Sequence, residues 1–139
     1  MAEKTALANV QASVIATLLA DSALAALVPG GVWDYVPADP VWPYLVVESA
    51  EETPNDTYGA QGRNVAITLT VFSSYQGRKE QFAIVDALVR LLSDVKLTIS
   101  GWEHLATWHT SSRATSPFEA GNARAGSSSV TLTVVVLEA

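Results

Sequence analysis

The sequence predicts an α+β fold: a single, mostly antiparallel sheet of about five strands with two main helices packed on one face. Three observations predict it. Residues Asn64 to Phe72 alternate, with Val65, Ile67, Leu69 and Val71 on one face and Ala66, Thr68, Thr70 and Phe72 on the other, which is the period of a strand. After the turn Ser73 to Gly77 the period changes, and Phe82, Val85, Leu88, Val89 and Leu92 recur at helical spacing between Lys79, Glu80, Asp86 and Arg90. Near the end of the chain Val130, Leu132, Val134 and Val136 alternate with Thr131, Thr133, Val135 and Leu137, a second two-faced strand. A strand feeding directly into an amphipathic helix needs a sheet face for that helix to rest on.

The remaining elements follow in chain order. Residues 4 to 20 read as a helix whose stripe is Leu7, Val10, Val14 and Leu18, widened by Ile15 and Leu19. Asp21-Ser22 interrupts it and caps a short second helix from Ala23 to Val28, which Pro29-Gly30-Gly31 stops. Val32 to Val36 is a short strand. Pro37 to Pro43 holds three prolines in seven residues and reads as a loop or an edge-hugging extended segment. Tyr44 to Ser49 is a strand, and Glu51 to Gly62 a long polar loop of the sort that carries function or moves. Val95 to Thr110 is a further strand, broken near Ser100-Gly101. A regular strand there puts Trp102, His104, Ala106 and Trp108 on one face, opposite Glu103, Leu105, Thr107 and His109. Ser111 to Ser127 is a second polar loop, with Pro117, Gly121, Gly126, Arg113 and Arg124.

At 139 residues and 49% hydrophobic, residues 1–139 suit one globular domain, since a chain of this size buries ~68% of its unfolded surface. The chain has no cysteine, which excludes disulfides, thiolate metal sites and cysteine nucleophiles. Met1-Ala2-Glu3-Lys4 opens an amphipathic helix rather than a basic-then-apolar signal, and no run approaches the ~18 apolar residues of a membrane span; synthesis without export is expected. The net charge of −6 argues against a protein that grips nucleic-acid phosphate, because such binding needs clustered Lys and Arg.

No constellation demands catalysis. His104 and His109 fall on opposite faces of a regular strand, so they cannot share a metal without a bulge. No serine sits in a Gly-x-Ser-x-Gly elbow. Adjacent Glu51 and Glu52 on a loop read as a solvated charge cluster rather than a working carboxylate pair. Tyr58 to Arg63 has glycines but precedes a strand, where a phosphate cradle needs a helix start. No cofactor, metal or catalytic residue is expected. What the sequence does carry is apolar surface beyond the core stripes: Val135 and Leu137 on the second face of the last strand, and four tryptophans, Trp33, Trp42, Trp102 and Trp108. Each large side chain left in water forgoes about 1.5–3 kcal/mol, so a self-association surface over the second face is expected, with Trp102, Trp108, Val135 and Leu137 as its candidates.

The order of features resembles the tail-completion, or tail-terminator, proteins of long-tailed bacteriophages. The carrying residues are the helix ending in Asp21 to Val28, then Gly31-Val32-Trp33-Asp34-Tyr35-Val36-Pro37, then Pro43-Tyr44-Leu45-Val46-Val47-Glu48, the polar loop, the strand Val65 to Phe72, the helix Glu80 to Leu92, and a final strand. The similarity spans nearly the whole chain. The proline-rich insert before Pro43 and the Ser111 to Ser127 loop are individual to this sequence. The resemblance implies a structural subunit that forms a ring, commonly a hexamer, at the head-proximal end of the tail tube. Such a ring stops tube polymerisation and joins the head connector; gene-transfer particles use the same part. The implied partners are copies of itself, the tube protein and the head–tail connector, with DNA passing through the channel without specific binding. Two such partners suit the two polar loops, with Glu51, Glu52, Asp56, Tyr58 and Arg63 as candidate contacts in the first and Arg113, Phe118 and Arg124 in the second. Glu51, Glu52 and Asp56 are also the candidates for an acidic channel wall that repels phosphate. Two other functions fit the same elements: a different connector of the head–tail neck, or a small dimeric α+β ligand-binding module with a pocket lined by Trp102, His104 and Trp108.

Overall fold

The computed structural model describes residues 4–35, 38–39, 41–56, 59–73, 79–94, 96–114, 118–120 and 123–139; of residues 94, 118–120 and 123–125 it describes the backbone alone. Tyr58, the turn residues 74–78 and the prolines at 37, 40 and 117 lie outside the described residues. The elements run α1 (Leu7–Ala20), α2 (Ser22–Leu27), β1 (Val32–Trp33), β2 (Tyr44–Pro54), β3 (Gly62–Ser73), α3 (Lys79–Asp94), β4 (Trp102–Ala114), β5 (Phe118–Ala120) and β6 (Ala123–Glu138). The sheet order is β1-β2-β3-β6-β4, with β5 paired to β6. Among the described residues only β1 runs parallel to its neighbour; the other pairings are antiparallel. The α+β architecture is therefore as the sequence predicts, with one open, mixed sheet and the two long helices packed on it.

The core forms where the alternation says it should. Val65, Ile67, Leu69 and Val71 of β3 and Val130, Leu132, Val134 and Val136 of β6 are all at most 1% exposed. With Leu45 and Val47 of β2 they make the face on which α1 and α3 rest. α1 contributes Val10, Val14 and Leu18, while Leu19, at 59% exposure, lies outside the stripe. Asp21 caps α2 as expected, its Oδ2 accepting from Leu24 N at 3.2 Å.

The phase of α3 differs from the predicted stripe. Its buried line is Gln81, Ile84, Leu88 and Leu92, and Phe82 is 52% exposed. The physical reason is a satisfied polar anchor. Ser128 Oγ donates to Gln81 Oε1 at 2.6 Å, so the carboxamide enters the core with a partner, as a buried polar group must. Gly126 makes the room: a Cβ there would lie 2.4 Å from Gln81 Nε2. Gln81 thus takes the inward position and turns Phe82 outward.

Both long polar loops prove shorter than predicted, because the ladders continue through them. β2 runs on to Pro54 and β3 starts at Gly62, leaving residues 55–61 as the connection. β6 pairs with β3 as far as Gly126 opposite Ser73, and with β4 as far as Ala114 opposite Ser128. Backbone pairing is indifferent to the serines that make this stretch look like a loop. Conversely β1 is only two residues long, and the predicted strand from Val95 starts at Trp102, preceded by the isolated bridge of Ile99 to Trp102.

Two register shifts in β4, between His104 and Ala106 and between His109 and Ser111, overturn the predicted face assignment. Trp102 and His104 pair with Glu138 and Val136, on the helix side; beyond the first bulge Ala106 and Trp108 pair with Val135 and Thr133, on the opposite face. A pocket lined jointly by Trp102, His104 and Trp108 is therefore impossible. The bulge also brings His104 and His109 onto one face, opposite Val136 and Leu132. Four residues of β6 separate those partners, about 13 Å, too far for a shared ion.

Candidate functional site

Three candidates of the first polar loop, Glu52, Asp56 and Arg63, make bonds within the subunit. Arg63 extends the β3 alternation by one step, so its side chain lies on the helix face and is 4% exposed. Its Nη1 donates to Asp56 Oδ1 and to Gly62 O, both at 2.7 Å, and its Nη2 donates to Lys4 O and Gln61 Oε1, both at 3.0 Å. Nε is 3.4 Å from Glu52 Oε1, and that oxygen also accepts from Ala6 N at 2.8 Å. The guanidinium carbon stands 5.9 Å from the Trp102 ring centre and Lys4 Nζ 4.8 Å, within reach of a cation–π attraction. Lys4 Nζ also donates to Gly101 O at 3.3 Å. Asp56 Oδ1 accepts a second bond, from Gly62 N at 3.0 Å.

This arrangement fastens the segment before α1, the β2–β3 connection and the start of β4 at one end of the sheet. It bears on several expectations. Arg63 and the inward-turned Glu52 act as anchors within the subunit, while Asp56 binds Arg63 through one oxygen and keeps a side chain 48% exposed. Trp102, 5% exposed, belongs to the subunit's own core. Glu52 points inward because a register shift between Val47 and Ser49 reverses the phase of β2. Of the three acids expected to line a channel, Glu51 lies exposed on the open face, Glu52 turns inward, and Asp56 is exposed in the β2–β3 connection.

Hydroxyl pairs line the middle of the open face of the sheet. Thr68 Oγ1 and Thr131 Oγ1 are 3.0 Å apart, Thr70 Oγ1 and Ser129 Oγ 3.1 Å, and Thr110 Oγ1 and Thr133 Oγ1 2.6 Å; Thr70 also donates to Glu48. Such cross-strand pairs are the stabilising unit of a sheet face. Val135 lies among them at 8% exposure, and Leu137 is half-buried.

Exposed large apolar groups occur on the helices, at Leu19, Leu27 and Phe82, and at the two margins of the sheet. On the β1–β2 side, Trp33 contacts Tyr35 edge-on at 5.5 Å between ring centres, and Trp42 contacts Tyr44, which stacks on Phe72. There Tyr35 and Val41 are 59% and 61% exposed. On β4, Leu105 and Trp108 are 53% and 52% exposed. Arg113 is exposed and pairs with Ser129 on the open face. Phe118 and Arg124 pair through their backbones with Ala125 and Glu119 in the β5–β6 tip; their side chains and all of Tyr58 lie outside what the structure describes. The margins were missed in the sequence because they join residues far apart in the chain, although the exposed Tyr35 precedes the proline-rich segment already noted and Val41 lies within it.

The candidate sites among the described residues are thus surface margins of the sheet and one buried polar cluster at its end. No helix among the described residues is long and apolar enough to cross a membrane, and among those residues no group of three or more His, Asp or Glu is placed to hold a metal ion. The same fold occurs in a chain of the solved structure "Virion of native gene transfer agent (GTA) particle", with a TM-score of 0.84 and 21% identity over 97% of this chain and 99% of that one. The class is therefore that of a small α+β fold also found in a virion particle. Residues 12–134 match the family described as Tail completion protein gp17, and the chain belongs to that family. By that membership it is a structural protein of the phage-type tail. No curated protein matches the sequence.

Proposed function

We propose that this subunit forms a ring, of six copies on the family's pattern, at the head-proximal end of the tail tube. The ring stops tube polymerisation and presents its other side to the head connector. The observation that carries the reading is the family match over residues 12–134, because completing a tail means ending the tube and preparing it for the head. Exposed apolar groups at two opposite margins, beside those on the helices, support it, since a closing ring needs two different contact patches on each subunit. The net charge of −6 and the exposed carboxylates of Glu48 and Glu51 on the open face suit a passage through which DNA slides without sticking.

Tube assembly with and without this chain tests the proposal. Particles produced without it should carry tails of uncontrolled length, and adding the purified chain to polymerising tube protein should cap growth. Tails of normal length that merely fail to gain heads would assign it to another position in the neck.

A further inference from the structure

We infer that neighbouring subunits meet edge to edge, the aromatic β1–β2 margin of one copy seated on the β4 margin of the next. This rests on the ring reading above and names the surfaces that make it. The partner is a second copy of this chain, for three reasons.

The first is placement. β1 and β4 are the two ends of the sheet order, four strand spacings or about 19 Å apart. Two different patches at opposite ends of the sheet can meet head to tail around a closed circle. The second is backbone. Among the described residues, β1 pairs with β2 only at Leu45 and Val46, so the outer side of β2 from Val47 to Pro54 has no strand beside it, and neither has the outer side of β4. Unpaired edges of this length invite another strand or a covering surface.

The third is chemistry along the cross-sheet rows. Register places Trp33, Val46, Thr70, Ser129 and Arg113 on one row of the open face, and Glu51, Ala66, Thr133 and Trp108 on another. When two sheets meet at the same level, Arg113 of one copy reaches the Trp33–Tyr35 corner of the next, where the exposed Asp34 also lies. A guanidinium suits both the ring faces and that carboxylate. Trp108 meets the outer side of β2 beside Glu51. The single acid of β4, Glu103, sits at the opposite end of the strand from Arg113.

Two single variants separate this contact from the ring reading itself. Val41 and Trp108 are both more than half exposed, so V41D and W108E should fold, which circular dichroism and thermal unfolding verify. Each alone should run as a monomer by light scattering at concentrations where the parent chain assembles. An equimolar mixture should give a species of twice the 14.7 kDa chain mass and nothing larger, because one intact margin of each kind remains. Parent-like assembly by both variants would overturn the edge contact and leave the ring reading standing, as would a mixture that stays monomeric. A parent chain that is monomeric at every concentration, alone and with tube protein, would remove both. Where either variant misfolds, charge exchange decides the matter. R113D should weaken association ~10-fold or more, and adding D34R in the same chain should restore it; no rescue overturns the pairing.

Discussion

Arg63 and Asp56, seven residues apart, hold the β2–β3 connection shut: Nη1 lies 2.7 Å from Oδ1, and the same oxygen accepts the Gly62 amide. The two ends of this ion pair differ in setting, since the Arg63 side chain is 5% exposed and that of Asp56 48%. Removing the buried member strands Glu52 beside an empty space and frees Lys4 O, whereas removing the half-exposed one leaves a guanidinium with other acceptors. R63A should therefore destabilise the chain by ~3–5 kcal/mol, and D56A by only ~1 kcal/mol, as for pairs with solvent access. Urea unfolding of the two variants measures this, and equal losses would contradict the assigned burial.

Gln81 and Ser128 test the second polar anchor. Removing one partner leaves a buried carboxamide unsatisfied, while replacing both with apolar groups of similar shape does not. S128A should cost ~1–3 kcal/mol, and the double variant Q81M/S128A should recover most of that loss. A double variant less stable than S128A alone would show that the pair is not the determinant of the α3 phase. G126A should be harmful beside Gln81 and tolerated once Gln81 is shortened to Ala, because the obstructing atom belongs to that side chain.

How much of this was legible in the sequence depends on whether a residue's position is set by period or by an irregularity. The core faces of β3 and β6 were readable because an unbroken alternation fixes them, and the same rule extended one step back would have placed Arg63 on the inner face with Val65. Glu52, Trp108 and His109 were not readable, since each follows a register shift that inverts the phase of its strand, and nothing local in the sequence marks an extra residue. The serine-rich stretch around 111–127 reads as a loop because composition dominates there, yet its pairing is dictated by β3 and β6 alongside. The family assignment drew on element order, which survives such errors. The site residues did not, because loop length and face decide whether a charge is offered or consumed.

Phe82 gives a direct comparison between the predicted helix stripe and the observed one. Half of its surface is exposed, while Leu88 is fully buried beneath the sheet. F82S should change stability by less than ~1 kcal/mol, as surface substitutions do, against ~2–5 kcal/mol for L88A. Thermal unfolding of the two variants distinguishes the phases; a large loss in F82S would restore the stripe read from the sequence. A fall in assembly without a fall in stability would instead add Phe82 to the surfaces used by a partner.

His104 supplies the pH dependence. Its Nδ1 accepts from Leu97 N at 3.2 Å and its Nε2 is 2.6 Å from Thr107 Oγ1, so the ring is held neutral with the proton on Nε2. Burial lowers its pKa below the ordinary histidine value of 6.5; a backbone hydrogen bond at Ala106 opposes this, and the positive charge of Lys96 adds to it. Below pH 6.5 the unfolded chain takes up this proton more readily than the folded one, so stability falls with falling pH. The contribution is fully present above 6.5 and declines until the folded-state pKa is passed, where the slope from this residue ends. H104N, whose carboxamide oxygen can still accept from Leu97 N, should flatten that part of the profile while the carboxylates keep their own loss at lower pH. Unfolding midpoints between pH 7.5 and 4.5 measure the difference, and identical slopes in the two proteins would mean that His104 titrates alike in the folded and unfolded chain.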